Sequence, residues 1–139
     1  MQNCVPGQRP DNDAGYLEMM TAIVFMSGLS RQVVMGKWEG FLAAFQGFNI
    51  DEVASFTDVD VERLSQDTKI VRYKAKIRAT VDNARQMQQI AGEYGSFGAW
   101  LRNMIDKEGI DPAAAEVAKR FKYISVQSAT RYFYAVGED

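Results

Sequence analysis

Five cations with no acid among them lie close together in the middle of the chain. Lys69, Arg72, Lys74, Lys76 and Arg78 follow an acidic segment and lead into the longest helix that the apolar spacing predicts. Free backbone N–H groups and the positive end of a helix dipole favour an anion at such a position. We therefore consider this segment a candidate phosphate site; the alternative is a solvated helix face held by salt bridges.

A second basic group lies near the carboxyl end. Lys119, Arg120, Lys122 and Arg131 have no acid close by in the sequence until Glu138. We consider Lys119 and Lys122 candidates for a second phosphate contact, against the alternative of ordinary solvated surface.

The composition excludes several classes of chemistry. The chain has 139 residues, a formal net charge of −2, no histidine and one cysteine, Cys4. These counts exclude an internal disulfide, a zinc site built from Cys and His, and every nucleophilic mechanism that uses a His base. We expect one globular domain without a metal or a cofactor.

No segment predicts membrane association. The longest uncharged run, 19–30, is too short to span a bilayer, and the amino terminus has no basic region followed by an apolar one. We expect a soluble, cytoplasmic protein with no membrane partner.

The amino-terminal half reads as an irregular arm followed by helices. Residues 1–13 are rich in Pro, Gly and polar residues, and 14–139 are expected to form a single helical domain. The first helix is apolar nearly all round and therefore buried. Gly28 predicts its end, and Ser30 is a natural N-cap for a second helix at about 31–46.

Later helices are predicted from caps and breakers. Asp51 and Asp58 are expected to begin two short helices. The longest helix is expected at about 72–92, and Ser96 is expected to cap the helix that follows it.

Towards the carboxyl end the pattern is less decisive. Asp111-Pro112 predicts an N-cap followed by proline at the first helical position, whereas 121–136 is compatible with strand or helix. No other segment alternates as a strand does, so the fold class is all-α.

The order of several short motifs resembles the 3-methyladenine DNA glycosylase I family, within the helix-hairpin-helix DNA glycosylase superfamily. The resemblance runs from about 16 to 137 and rests on the motifs Ser27-Gly28-Leu29-Ser30, Phe45-Gln46-Gly47-Phe48-Asn49, Asp60-Val61-Glu62-Arg63-Leu64, Ile70-Val71-Arg72, Lys76-Ile77, Asn83-Ala84, Gly95-Ser96-Phe97 and Phe121-Lys122-Tyr123.

The resemblance implies a compact helical domain of the helix-hairpin-helix DNA glycosylase type, in shortened form. Such a domain grips the phosphate backbone of damaged or abasic double-stranded DNA, flips the target nucleotide into a pocket and hydrolyses the glycosidic bond, as the first step of base excision repair. The basic segment 69–78 would lie about where the hairpin meets DNA.

The chain departs from the family at the positions that carry chemistry. The family's pocket acid, five residues before the glycine of Gly28-Leu29-Ser30, is here Ile23, and its stacking aromatic directly after that motif is Arg31. The histidine-containing loop and the zinc ligands of the family are also missing, and Cys4 alone cannot form a metal site.

Other residues of the first helix are candidates for the same pocket. Glu18 is the nearest acid, but an offset of five residues turns it about 140° around a helix, and the alternative is an exposed acid in the first turn. Tyr16, Met19 and Met20 could line the pocket with Ile23 and Arg31, or pack in the core.

These observations favour a DNA-binding, glycosylase-like protein that has lost methyladenine excision, with a degenerate active site. One alternative is an active DNA glycosylase with another substrate and a relocated acid. A second is a non-enzymatic interaction or small-ligand protein on the same scaffold. The sequence leaves open whether the chain is an enzyme, which lesion it binds and its oligomeric state.

Overall fold

The structure, a computed structural model, describes residues 1–138. These residues contain no strand, which confirms the all-α class. The helices are α1 (Asp13–Met26), α2 (Arg31–Met35), α3 (Trp38–Ala44), α4 (Ile50–Ala54), α5 (Asp58–Leu64), α6 (Lys74–Tyr94), α7 (Phe97–Glu108), α8 (Ile110–Arg120) and α9 (Val126–Ala135), with a 3-10 turn at Gln46–Phe48.

Helix α1 forms the centre of the fold. As its apolar sequence predicts, it is buried on nearly every side, and it packs against α2, α4, α6, α7 and α9. It ends at Met26, and Gly28 follows with a φ of 83°. A positive φ strains residues that carry a Cβ, so glycine suits this sharp exit from the core.

Helix α6 supports the other helices through one apolar face. Ile77, Val81, Ala84, Met87 and Ile90 recur every three or four residues and are all buried. This face packs against α1, α4, α5 and α7. The amino-terminal end of α6 consequently lies beside the exit from α1.

The predicted second helix is interrupted. It divides into α2 and α3 around Gly36 and Lys37, although Ser30 caps α2 as expected by accepting a hydrogen bond from Val33 N (3.1 Å). The break lets Trp38 stack on Phe41 and Phe48, with ring centroids 4.9 and 5.5 Å apart. Glycine is a poor helix former, and this aromatic packing outweighs continuation of the helix.

The caps predicted for the two short helices were wrong. Asn49, not Asp51, caps α4 by accepting from Glu52 N. Thr57 precedes α5 and donates its backbone N–H to Asp60. In each case a residue slightly earlier in the chain satisfies the free N–H groups, while the acids occupy the first turn, where the dipole favours them.

The carboxyl-terminal helices also differ from expectation. Helix α8 begins at Ile110 after Gly109, so Asp111 is not its N-cap and Pro112 is its third residue. Proline is tolerated there because first-turn N–H groups have no partner within the helix. The ambiguous tail forms α9, whose N-cap Ser125 accepts from Ser128 N (3.0 Å).

The irregular segment before α1 lies against the helices. Gly7 N donates to Ala135 O (2.8 Å), and Arg9 forms a salt bridge with the buried Glu138. Within residues 1–138, no helix combines the length and apolarity that crossing a bilayer requires.

Candidate functional site

Two clefts open on either side of the turn formed by Ser27 and Gly28. The first, of about 510 Å³, lies between the end of α1 and the start of α9. The second, of about 460 Å³, lies between the same turn and the amino-terminal end of α6. The exit from α1 therefore separates two concave surfaces.

The first cleft is apolar on one wall and polar on the other. Ile23 and Met26 of α1 face Ser125, Ser128 and other polar residues of α9. Arg131 is the one lining residue with a formal charge at neutral pH. Because the lining includes no Asp or Glu, this cleft offers no carboxylate to a bound molecule.

Two of the five central cations are neutralised by α5. Lys74 pairs with Glu62, and Arg78 pairs with Asp58 at 2.8 Å. The hydrogen bond and charge of Lys74 lower the pKa of Glu62, and those of Arg78 lower the pKa of Asp58. These pairs match the alternative of a salt-bridged helix face.

Lys76 is largely buried, although it is one of the residues that line the second cleft. Only 4% of the residue is accessible, and its ammonium donates a hydrogen bond to Ser27 O. Burial lowers the pKa of Lys76. The same ammonium lies 5.1 Å from the ring centroid of Tyr73. Lys76 thus fastens the start of α6 to the turn that separates the two clefts.

Lys69 and Arg72 are exposed, and neither forms a salt bridge among the described residues. Arg72 lines the second cleft. The loop before it is held firmly, because Lys37 donates to Thr68 O (3.1 Å) and the backbone of Lys69 packs on Gly40. A Cβ at Gly40 would lie 2.0 Å from Lys69 O. These two cations are therefore presented on a fixed loop.

Lys122, a member of the second basic group, directly precedes Tyr123, which lines the same cleft. Asn83, which is buried on α6, accepts from Lys122 N (2.8 Å) and donates to Lys122 O (3.2 Å). The exposed Tyr123 follows and lines the second cleft together with Tyr73. Lys119 is exposed in the last turn of α8, where a cation complements the helix dipole.

Similarity to a known protein family identifies the family to which the chain belongs. The family model described as "Methyladenine glycosylase" matches residues 5–130. The chain belongs to the methyladenine glycosylase family. The resemblance carried by the short motifs is confirmed, and the match includes both clefts except for the end of α9.

Curated members of the family are similar over part of the chain. DNA-3-methyladenine glycosylase 1 of Escherichia coli (strain K12) is 40% identical over 92 residues, which cover 63% of this chain and 49% of that enzyme. DNA-3-methyladenine glycosylase of Haemophilus influenzae is 25% identical over 124 residues, 78% of this chain and 67% of that enzyme. The chain thus spans about half the length of the Escherichia coli relative in that match.

Solved structures of the family share the fold. A crystal structure of 3-methyladenine DNA glycosylase I superposes with a TM-score of 0.85 at 26% identity, covering 96% of this chain and 84% of that one. The glycosylase I from Staphylococcus aureus gives a TM-score of 0.85 at 24% identity, over 98% of this chain and 82% of that one. The helical glycosylase fold expected from the sequence is confirmed.

Glu18 occupies a different environment from the one expected of an exposed first-turn acid. It is fully buried in the second turn of α1. Its Oε1 accepts from Asn3 N (2.7 Å), and its Oε2 accepts from Gln2 N (3.0 Å) and from Trp38 Nε1 (2.7 Å). The expectation of an exposed acid was wrong because its partners come from distant parts of the chain. Glu18 lines neither of the two clefts.

The other candidates on α1 are dispersed rather than gathered in one pocket. Tyr16, Met19 and Met20 are buried in the core, while Ile23 lines the first cleft. The Tyr16 hydroxyl accepts from Arg102 (3.3 Å), and burial raises its pKa. Arg31 is exposed on α2 and lines neither cleft.

The described residues include no group of three or more His, Cys, Asp or Glu side chains suited to a metal ion. Cys4 is buried, and its thiol donates to Met1 Sδ (3.4 Å). Burial and the neighbouring Glu18 carboxylate raise the pKa of the Cys4 thiol to about 12.

Sequence reasoning missed the pair Tyr73 and Tyr123 and the role of Asn83. The signal was present but indirect, because each tyrosine directly follows a cation, Arg72 or Lys122. Nothing in the sequence pattern indicates that segments 50 residues apart present their rings to the same cleft.

Proposed function

We propose that this chain recognises double-stranded DNA as a glycosylase-like protein and does not release 3-methyladenine. The observation that carries the proposal is the first cleft, where Ile23 stands at the family's acid position and Arg131 is the only charged lining residue. The positive charge of Arg131 is opposite in sign to the negative charge of the carboxylate that excision requires.

The chemistry explains why this difference matters. Cleavage of the bond between a methylated adenine and its sugar develops positive charge on the sugar, and the methylated base is itself cationic. A fixed negative charge lowers the energy of that transition state, whereas a nearby guanidinium raises it. The cleft therefore disfavours both the substrate and the transition state.

Glu18 does not compensate as a relocated acid. Its two oxygens accept three hydrogen bonds from Gln2, Asn3 and Trp38, and the side chain is inaccessible to solvent. Turning it towards the cleft would leave the buried indole N–H of Trp38 without a partner, which costs about 1–3 kcal/mol, and would also break the hydrogen bonds to Gln2 and Asn3. We assign Glu18 to the fold rather than to chemistry.

DNA binding is supported by the cations that remain free beside the second cleft. Lys69 and Arg72 on the loop before α6, together with the exposed Lys122 directly before Tyr123, form a group of free cations on a chain whose net charge is −2. A local group of this kind suits contact with the phosphate backbone. Lys74 and Arg78 contribute less because α5 neutralises them.

The proposal is tested by incubating the chain with methylated duplex DNA and measuring released 3-methyladenine against the spontaneous rate without protein. Binding of the same preparation to the same DNA is measured in parallel, so that inactive protein is recognised. We expect binding without release above background. Release that rises in proportion to protein concentration would overturn the loss of excision.

A further inference from the structure

We propose that Tyr73 and Tyr123 form a stacking site for an unpaired nucleobase of bound DNA, and that Asn83 is the residue that positions Tyr123. This inference rests on the proposed DNA binding and names the part of DNA that the second cleft receives. It concerns the cleft beside α6, not the one beside Ile23.

Tyr73 and Tyr123 present exposed aromatic rings to the second cleft. Each is 47% exposed, whereas Phe121, two residues before Tyr123, is buried in the core. Their ring centroids lie 6.4 Å apart with an interplanar angle of 78°, so one edge faces the other ring. This leaves ring surface of both tyrosines open to the cleft they line.

The backbone at Tyr123 is strained in order to hold its ring there. Its φ is 59°, in the left-handed region that bulky residues rarely adopt. Such a conformation is strained and persists only when surrounding contacts impose it. Asn83 supplies those contacts, because its carboxamide satisfies both the N–H and the C=O of the preceding Lys122.

The ring of Tyr73 is fixed from the other side. The ammonium of Lys76 lies 5.1 Å from its centroid while donating to Ser27 O. A cation over the ring face restrains the tyrosine without covering its other face. Two buried polar side chains, Asn83 and Lys76, therefore hold two exposed rings in an edge-to-face pair at one cleft.

A nucleobase fits the chemistry of this cleft. Successive aromatic faces stack on bases of any sequence, and each such contact contributes about 1–3 kcal/mol. Arg72 lines the cleft directly before Tyr73, and the exposed Lys122 directly precedes Tyr123 in the chain, so that each tyrosine has a neighbouring cation suited to a phosphate next to an unpaired base. An acidic or apolar protein segment would satisfy the cations or the rings, but not both.

The test compares affinities for a duplex containing one bulged, unpaired base and for the matching fully paired duplex. Tyr123→Gly removes the ring and relieves the strained φ, so we expect unchanged or higher stability. Affinity for the bulged duplex should fall about 5- to 100-fold, whereas affinity for the paired duplex should change less than twofold. Tyr73→Leu should act in the same direction, and Tyr134→Leu, at an exposed tyrosine of α9, is the matched control.

Asn83→Ser distinguishes positioning from general stability. Affinities are measured under conditions in which the variant is fully folded. Asn83→Ser should weaken binding of the bulged duplex in the wild-type background but have no further effect in the Tyr123→Gly background. An equal effect in both backgrounds would overturn the positioning role.

The remaining outcomes separate this inference from the proposed function. Full affinity of Tyr123→Gly and Tyr73→Leu for the bulged duplex, with wild-type DNA binding intact, would overturn the stacking site alone. A wild-type chain that binds neither duplex would overturn both.

Discussion

Glu18 of α1 and Trp38 of α3 are joined by a fully buried hydrogen bond of 2.7 Å from the indole Nε1 to Oε2. The same carboxylate receives the backbone N–H groups of Gln2 and Asn3. One side chain thus fastens the amino-terminal segment and α3 to the central helix, and the acid nearest to Ile23 in the first helix is committed to structure.

Replacement of Glu18 by Gln should therefore destabilise the fold. Both carboxylate oxygens accept hydrogen bonds. In Glu18→Gln an NH₂ group would replace one of these oxygens and would point at an N–H donor, with which it cannot form a hydrogen bond. We expect the free energy of unfolding to fall by about 2–3 kcal/mol in urea denaturation. Glu39→Gln, at an exposed acid of α3, is the control. A Glu18→Gln chain of wild-type stability would contradict the structural role.

Substitutions of Arg72 and Glu62 should change the affinity for DNA in opposite directions. Arg72→Gln removes a free cation and should reduce the slope of log affinity against log salt by about 0.9, the value for one phosphate contact. Glu62→Gln releases Lys74 from its salt bridge and should raise the affinity at low salt. Lys107→Gln, at the end of α7, should change neither quantity. If both variants of the α5–α6 region behave like this control, DNA binds elsewhere.

If the proposed loss of excision results from Ile23 and Arg31, changing these two residues should restore activity. Ile23→Glu places a carboxylate in the first cleft, and Arg31→Trp restores the family's aromatic residue directly after Gly28-Leu29-Ser30, at a position that itself lines neither cleft. A single well-placed charge contributes about 100- to 1000-fold to such a rate. The double variant should release 3-methyladenine from methylated duplex DNA measurably faster than the spontaneous rate. Intact DNA binding without release would show that these two residues do not account for the loss.

Cys4 should be inert in the folded chain. Its pKa is raised from 9.0 to about 12 by burial and by Glu18, so near pH 8 the folded chain holds about a thousandfold less thiolate than an exposed cysteine would. The unfolded chain loses the thiol proton more readily, so stability should decline as pH rises from about 9 towards 12. Reaction with a chromogenic disulfide at pH 8 should be slow in buffer and rapid in urea. Equal rates would contradict the burial.

The sequence predicted the elements that depend on neighbouring residues. The apolar periodicity of α6 and the caps at Ser30 and Ser96 are local signals, and each is present in the structure. The tail 121–136 was ambiguous because its aromatic residues suit a strand, but Tyr132 and Phe133 are buried on one side of an α-helix.

What the sequence could not predict depends on distant partners. The burial of Glu18 requires donors from residues 2, 3 and 38, and the conformation of Tyr123 requires Asn83, on a helix that begins at Lys74. The exposed positions of Lys69 and Arg72, and the pairing of Lys74 and Arg78, likewise depend on how α5 packs against α6. Charge pattern alone gives these four cations equal weight.

The central claim is that this family member retains DNA recognition although its cleft no longer supports excision. The most direct measurement is binding to a short duplex with an abasic-site analogue, and to the undamaged duplex, across a salt series. The account predicts tighter binding of the abasic duplex and affinity that falls with salt for both. Absence of binding to either duplex at low salt would contradict it.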